Sequence, residues 1–318
     1  MQHQAAKQSK LATYIIQKAN ELGFDDCGIS PATFLRDDAE KMEKWLNEGM
    51  NSEMSYLERN RDKRYDPRLL VENTKSIVTV LYNYYPAEKL NTENNYKISK
   101  YAYGKDYHII IRKLLKELVA QILLQTGKIE TRIFTDSAPI LDRAWAKRSG
   151  LGFIGKNTCL IHPRKGSYFF IGHIFMPIAV DFEAEPVTEY CGTCTRCIDA
   201  CPTGALIAPH QLDSRKCISY LTIEHRNNLP EDLKHQFKNW IFGCDICQDV
   251  CPWNRFSRPH NQPLFQLSEA LKNMSKPDWE SMEKPLFDQL FKQSAVKRTK
   301  FEGLKRNIQF LKHSNSNI

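Results

Sequence analysis

The sequence predicts an α+β protein built in three parts, on three observations. Apolar segments over the first 180 residues alternate between strand and helix spacing, eight cysteines crowd between Cys191 and Cys251, and the last stretch is helical and basic. The chain has 318 residues, a formal net charge of +8, 42% hydrophobic and 26% charged residues. That length fits one large or two ordinary domains, and 14 Gly with 15 Pro are too few for a disordered or fibrous chain. The most apolar run, Tyr168–Val180, is interrupted by Gly172, His173 and Pro177 and falls short of the ~20 residues of a spanning helix. The polar start MQHQAAKQSK has no apolar export core behind it. No membrane association is expected, and the cytoplasm is the expected location.

Leu11, Tyr14, Ile15, Ala19 and Leu22 share one helical face, and Gly23 suits the left-handed residue that closes such a helix. Ser76–Tyr85 (SIVTVLYNYY) is β-branched and aromatic, bounded by polar ENTK and by Pro86, and predicts a buried strand. Glu88 to Asn95 is polar and reads as a loop. Asp106 caps a long amphipathic helix through IIIRKLLKELVAQILLQ, which Gly127 closes. Ile129–Thr135 alternates like a strand and delivers Asp136 at its end. Pro139 is expected to open the next helix, with Asp136 or Ser137 as its cap. Tyr168–Val180 reads as one or two core strands. Beyond Asp181 the chain turns cysteine-rich with short helical pieces, and from Ser257 it is helical and basic. Between Lys292 and Lys312 seven Lys/Arg face a single acid, Glu302. The expected divisions are 1–182, 183–256 and 257–318.

Ten cysteines without an export signal argue for metal ligation over a disulfide scaffold. The first run is Cys191-x2-Cys194-x2-Cys197-x3-Cys201-Pro202. This is ferredoxin spacing, in which three thiolates hold one [4Fe–4S] cube and the fourth crosses to a second. The second run, Cys244-x2-Cys247-x3-Cys251-Pro252, lacks its first cysteine because Ile241 stands there; Cys217 fills the gap. One cube then takes Cys191, Cys194, Cys197 and Cys251, and the other takes Cys201, Cys217, Cys244 and Cys247. A pair of tetrahedral zinc sites is the alternative. Two cubes imply one-electron transfer, hence an external low-potential donor. Cys27 and Cys159, outside the cluster, read as buried structural thiols, and Asp142 with Arg143 as an internal ion pair. Phe301 and Phe310, interleaved with the tail's cations, suggest a phosphate-tracking surface.

Five stretches, in this order, resemble the epoxyqueuosine reductase family: YAYGKDYH (Tyr101–His108), Phe134–Ile161 with its DRAWAKRSGLGFIGKN core, CGTCTRCIDACPTGAL (Cys191–Leu206), CISYLTIEHR (Cys217–Arg226) and FGCDICQDVCPWN (Phe242–Asn254). The resemblance runs from the N-terminal helix to Arg306–Asn307. It implies a nitroreductase-like α/β domain holding cobalamin, then a ferredoxin-like domain with two [4Fe–4S] clusters and a short helical tail, related to reductive dehalogenases. The implied activity is reduction of epoxyqueuosine to queuosine at the tRNA wobble position, by a cytoplasmic monomer. Longer members carry extra helical repeats, so here the RNA contacts are expected from the basic tail. The corrinoid motif DxHxxG is absent, since Asp106-Tyr107-His108 continues as three isoleucines, and no histidine ligand to cobalt is expected.

Asp136 matches the family's proton donor, which protonates the oxygen leaving the epoxide. The resemblance places Arg64, Ser99, Asp136, Lys156, Asn157, Leu160, Ile171, Ser219 and Asp245 around the corrinoid. Arg226, Lys297, Arg298, Lys305 and Arg306 are the candidates for contact with the anticodon stem-loop, whose splayed bases are what proteins usually read. Two other readings of the same residues are a corrinoid reductase acting on a small molecule, such as a dehalogenase, and a non-enzymatic iron–sulfur carrier or RNA-binding protein.

Overall fold

The computed structural model describes residues 9–91 and 93–312; residues 1–8, most of the polar start read above, lie outside them. Helix α1 (Lys10–Glu21) begins where the Ser9 hydroxyl accepts from the Ala12 amide at 3.2 Å. It buries Ala12, Ile15 and Ala19, the face expected from their spacing. A four-stranded antiparallel sheet follows, made of β1 (Asp26–Pro31), β2 (Ser76–Asn83), β3 (Arg132–Phe134) and β4 (Phe169–Met176) in the order β1-β2-β4-β3. The two central strands are β2 and β4. β2 is buried from Ser76 to Tyr82, because helices cover both faces of the sheet.

On one face, Val78, Val80 and Tyr82 pack with α1 and with α2 (Tyr107–Thr126) through Ile111, Leu115 and Leu118. Gly172 of β4 lets α2 lie close, since a methyl there would meet Ile111 and Leu115 at 3.1 Å. On the other face, Ile77 and Phe175 pack against Trp145 of α3 (Asp142–Arg148). Helix α3 starts at Asp142, three residues later than Pro139 suggested. Leu141 is its N-cap, so neither Asp136 nor Ser137 caps it. Asp142 also does not pair with Arg143. Its Oδ1 lies 3.1 Å from Nε2 of the fully buried His173, and Arg143 donates to the Thr158 carbonyl.

The cysteine region holds two matching short helices, Arg196–Asp199 and Ile246–Asp249, each followed by Cys-Pro. The tail is not an appendage as the expected division at 257 implied. Leu304, Ile308 and Leu311 of helix α4 (Lys300–Lys312) join Trp279, Phe287 and Phe291 in one core with Ile218, Tyr220 and Phe242. Tyr96, Ile98 and Tyr103 from the first part share that core, where Lys97–Ile98 pairs in parallel with Trp240–Phe242. Phe310 is buried and Phe301 packs against the same core, so these rings fill the interior and do not face RNA. No described helix is long and apolar enough to cross a membrane.

Gly28 of β1 marks the tightest approach between sheet and helix. A methyl there would stand 2.1 Å from the Ser149 carbonyl oxygen, a backbone atom that cannot swing aside. Gly28→Ala is expected to destabilise the protein by at least the ~1–3 kcal/mol of ordinary overpacking, read as a lowered urea midpoint.

A candidate iron–sulfur and reduction site

All ten cysteines are free thiols. Cys191, Cys194, Cys197 and Cys251 line one cavity of about 210 Å³, brought together because the second short helix returns beside the first. The cavity accommodates a multi-iron cube, whereas a single zinc would draw four sulfurs to ~2.3 Å from one point. Among the described residues no three such side chains close on a single ion position. The remaining four form a second, deeper set: Cys201 and Cys217 neighbour Cys244, and Cys217 and Cys244 neighbour Cys247, whose thiol is raised first by its hydrogen bond with Cys159. Burial drives the Cys244 and Cys217 thiols up first, and backbone amides pull the other way. Those amides are Ile246 at Cys244, Ser219 and Tyr220 at Cys217, and Trp253 at Cys251, whose thiol burial lifts to about 11. Amides aimed at sulfur are the environment an iron–sulfur cube uses. The donor set fits two cubes, and Cys191, Cys194, Cys197 and Cys251 share one cavity. Replacing Cys201 by Ser should then cost the inner cluster although Cys201 belongs to the first run, and Cys251→Ser the outer one. In either variant iron should fall from about eight to about four per chain, by iron assay and EPR.

Cys27 is buried at the sheet, and burial drives its thiol upward. Cys159 is not a core thiol of that kind. Asn157 holds it at the inner set, accepting from the Cys159 amide at 3.2 Å while its Nδ2 donates to the Cys247 carbonyl at 3.2 Å. Lys156 donates to the carbonyls of Gly192 and Cys194 at 2.6 and 3.1 Å. The side chains of Lys156 and Asn157 therefore lock the Phe153–Ile161 hairpin onto the cluster loops, and are committed there instead of to a corrin rim. Ser99 and Asp245 are both buried, and the Lys100 amide, next to Ser99 in the chain, donates to Asp245 Oδ2 at 2.9 Å. Gly243 passes so close that a methyl would lie 2.1 Å from Ser99 Oγ. Lys100 completes this seam. Its Nζ lies 2.6 Å from Asp249 Oδ1 and 3.3 Å from Asp245 Oδ2, with 5% of its side chain exposed. Burial opposes the Lys100 charge, yet the two carboxylates more than offset it and hold the ammonium proton above its ordinary range.

Asp136 sits just past β3 with φ +52°, in a loop anchored where the Thr135 hydroxyl donates to the Ile171 carbonyl at 3.0 Å. Its side chain is reachable by solvent although protein surrounds it on most sides, which describes the floor of a cleft. Burial raises its pKa first and the Asp142 charge adds to that, while a hydrogen bond from the Tyr107 hydroxyl, His108 and Arg298 oppose the rise. Tyr107 is set by the first turn of α2, where Asp106 caps the His108 amide at 3.0 Å. Its ring stacks on Phe170 at 4.2 Å. Tyr101, with its ring 6.3 Å from that of Tyr107 and 6.0 Å from that of Phe242, links the partner of Asp136 to the strand that ends two residues before Cys244. Tyr107 lies within the YAYGKDYH stretch, but spacing offered no signal for its role. Arg64 is buried, donates to the Tyr56 carbonyl at 3.2 Å and leaves its Nε without a partner. Leu160 and Ile171 pack with Leu81 and Leu151, and Ser219 stands beside Cys217.

Of the basic candidates, Arg298 reaches the cleft mouth, paired with Glu224 through both guanidinium edges at 2.9 and 3.1 Å and 5.9 Å from the half-exposed Tyr56 ring. Arg226 braces this arrangement by donating to the carbonyls of Arg298 and Thr299 at 3.0 and 3.3 Å. Lys297 is exposed. Arg306 differs from the expectation: it donates to the carbonyls of Leu221, His225 and Asn227 at 2.8–3.0 Å and is a strut of the core. Lys305 donates to the Met282 carbonyl at 3.2 Å and is committed in the same way.

The fold, the two thiol sets and the acid-floored cleft define an iron–sulfur oxidoreductase. Residues 190–254 match the 4Fe-4S double cluster binding domain family, and residues 64–137 match the family described as Epoxyqueuosine reductase QueG, DUF1730. An epoxyqueuosine reductase of Cellulophaga algicola is 51% identical over 303 residues, 95% of this chain and 98% of that one. One of Leadbetterella byssophila is 53% identical over 294 residues, 92% and 96% of the two chains. The crystal structure of an epoxyqueuosine reductase with an epoxyqueuosine-modified tRNA-Tyr stem loop superposes with a TM-score of 0.85 at 30% identity, over 95% of this chain and 80% of that one. This chain belongs to the epoxyqueuosine reductase family.

Proposed function

We propose that this protein reduces epoxyqueuosine to queuosine at the wobble position of tRNA, as a cytoplasmic monomer fed by an external low-potential donor. The observation that carries the reading is Asp136, an acid with a raised pKa that the Tyr107 hydroxyl holds, the Tyr107 ring being linked through Tyr101 to Phe242 beside the second cysteine run. It is supported by the relative whose structure holds a modified stem loop. The reaction takes two electrons and two protons, breaks the two epoxide C–O bonds, forms a C=C bond and releases water. Cobalamin, when bound in the cleft, supplies a cobalt reductant at the epoxide carbon. Arg64, with a buried and unpartnered Nε, suits the amide- and phosphate-bearing rim of that group, and the apolar side chains of Leu160 and Ile171 suit its ring. Asp136 holds a proton for the departing oxygen, whose conjugate base is too strong to leave unaided. Tyr107 fixes the carboxyl direction, and the Phe170 ring under it limits its motion. Arg298, Arg226 and Lys297 offer cations at the cleft mouth for the phosphates of the loop.

The test is a single-turnover assay. Anaerobically reconstituted protein with cob(II)alamin and reductant is mixed with an anticodon stem-loop carrying epoxyqueuosine, and the nucleoside should lose one oxygen by mass spectrometry. Unchanged epoxyqueuosine with fully loaded, reduced protein would overturn the reading.

A further inference from the structure

The two thiol sets differ in access, and the difference gives the relay a direction. The inner set adjoins Lys100, Asp245 and Tyr101, on the side of Asp136. The outer cavity opens elsewhere, walled by Tyr190, Pro252, Trp253 and Arg255. Tyr190 is 53% exposed and Phe256 37% exposed. Their rings meet through Trp253, with centroids 5.8 and 6.0 Å away. The Arg255 guanidinium lies 4.5 Å from the Phe256 ring centre. Tyr190 and Trp253 rest edge-on against the buried Phe153, both at 5.8 Å, so the inner side of the patch is anchored in the core while its outer edges stay exposed beside the cluster, the anatomy of a transient docking site.

The charge around this patch has one dominant sign. Lys156 and Arg255 are the charged side chains other than thiols that line the cavity, and both are cations. Arg255, Arg258 and Arg164 are exposed. The turn at residues 164–166 is seated on residues 254–257, where the Ser257 hydroxyl donates to the Lys165 carbonyl at 3.3 Å, so the segments bearing the exposed Arg164 and Arg258 adjoin the one that bears Arg255. The nearest acid in sequence, Glu189, is paired with His210 at 3.3 Å. Complementary charge of this kind steers diffusing partners and raises association rates.

We propose that the Tyr190–Trp253–Phe256 patch, ringed by Arg164, Arg255 and Arg258, is where a small acidic one-electron carrier protein docks to reduce the outer cluster. This inference rests on the two-cluster reading above. Each encounter would oxidise the carrier by one electron, which the cube held by the outer thiols would accept and the cube held by the inner thiols would relay. Two encounters deliver the two electrons the epoxide consumes, and both protons come from the solvent side through the cleft.

The experiment follows cluster bleaching by stopped-flow, with reduced flavodoxin as the acidic protein donor and dithionite as a reductant that needs no docking. The variant is Phe256→Ser with Arg258→Glu, two exposed residues that do not line the cavity. With flavodoxin at low salt its second-order rate should fall at least tenfold, and the gap should close as salt is raised. With dithionite its rate should match the parent. Equal flavodoxin rates for parent and variant would overturn the docking site, as would an equal loss with both reductants. A parent that dithionite cannot bleach would instead overturn the underlying two-cluster reading. Arg258→Glu alone should show a smaller loss of the same salt dependence, and a salt-independent loss would count against the proposal.

Discussion

Asp136→Asn is expected to lower single-turnover conversion of the epoxyqueuosine stem-loop by about 10²–10⁴-fold, the usual worth of a positioned acid. The amide keeps the size and the acceptor oxygen facing Tyr107 but has no proton of carboxylic acidity. Cluster content and cobalamin binding should be unchanged, so the loss reports on proton delivery and not on assembly. The pH dependence gives an independent check. Burial and the Asp142 charge raise the Asp136 pKa. A donor must be protonated, so the rate should be full below that pKa and decline as pH rises through it. Tyr107 stabilises the carboxylate form by donating to it. Tyr107→Phe should therefore push the acid's pKa higher still and move the alkaline decline to higher pH, while lowering the maximum rate because the carboxyl is less well aimed. A pH profile in Tyr107→Phe identical to the parent would remove that positioning role, and full activity in Asp136→Asn would remove the acid.

The second large effect concerns stability. Lys100→Met is expected to destabilise the holoprotein by about 3–5 kcal/mol, the cost of breaking a buried ion pair from one side. Lys100 and Asp245 are exposed by only 5% and 4% at their side chains, and Asp245 would be left in the interior with its backbone donor but no cation. Most of the cost is the stranded carboxylate, so adding Asp245→Asn to Lys100→Met should restore part of the lost stability. The measurement is the urea midpoint with iron content followed in parallel. A double variant no more stable than the single one would mean that the lysine stem's packing, and not its charge, holds the seam.

Legibility differed sharply by element. Helices α1 and α2 follow from local pattern, since each buries a face that recurs at helical period, and strand β2 follows from its unbroken β-branched and aromatic run, since both its faces are covered. The start of α3 was misjudged because Pro139 is permitted at a first helical turn but does not compel one; Ile140 and the Leu141 cap are held by packing against Trp145. Helix α2's cap at Asp106 was readable, but not that the next residue's hydroxyl meets an acid 29 positions away. Phe301, Phe310 and Arg306 looked like an RNA-facing stripe because sequence shows charge and aromaticity but not which side of a helix is covered. In the folded chain the rings enter the core, and the guanidinium satisfies three backbone carbonyls.

Short-range spacing predicts a sorting of the eight thiols into two sets, because a cube's corners are reached from consecutive turns and a Cys-Pro exit leaves little choice of partner. Local pattern was sufficient for the central strand β2 and the two helices on one face of the sheet. Folding made an acid of Asp136: burial raises its pKa first and Asp142, six positions on, adds to that, while Tyr107, His108 and Arg298, which oppose the rise, come from two distant segments. The same holds for the buried Lys100 seam and for the separation of an outer cluster from an inner one. Exposure and electrostatic environment are properties of surfaces brought together by folding, and no window of neighbouring residues contains them.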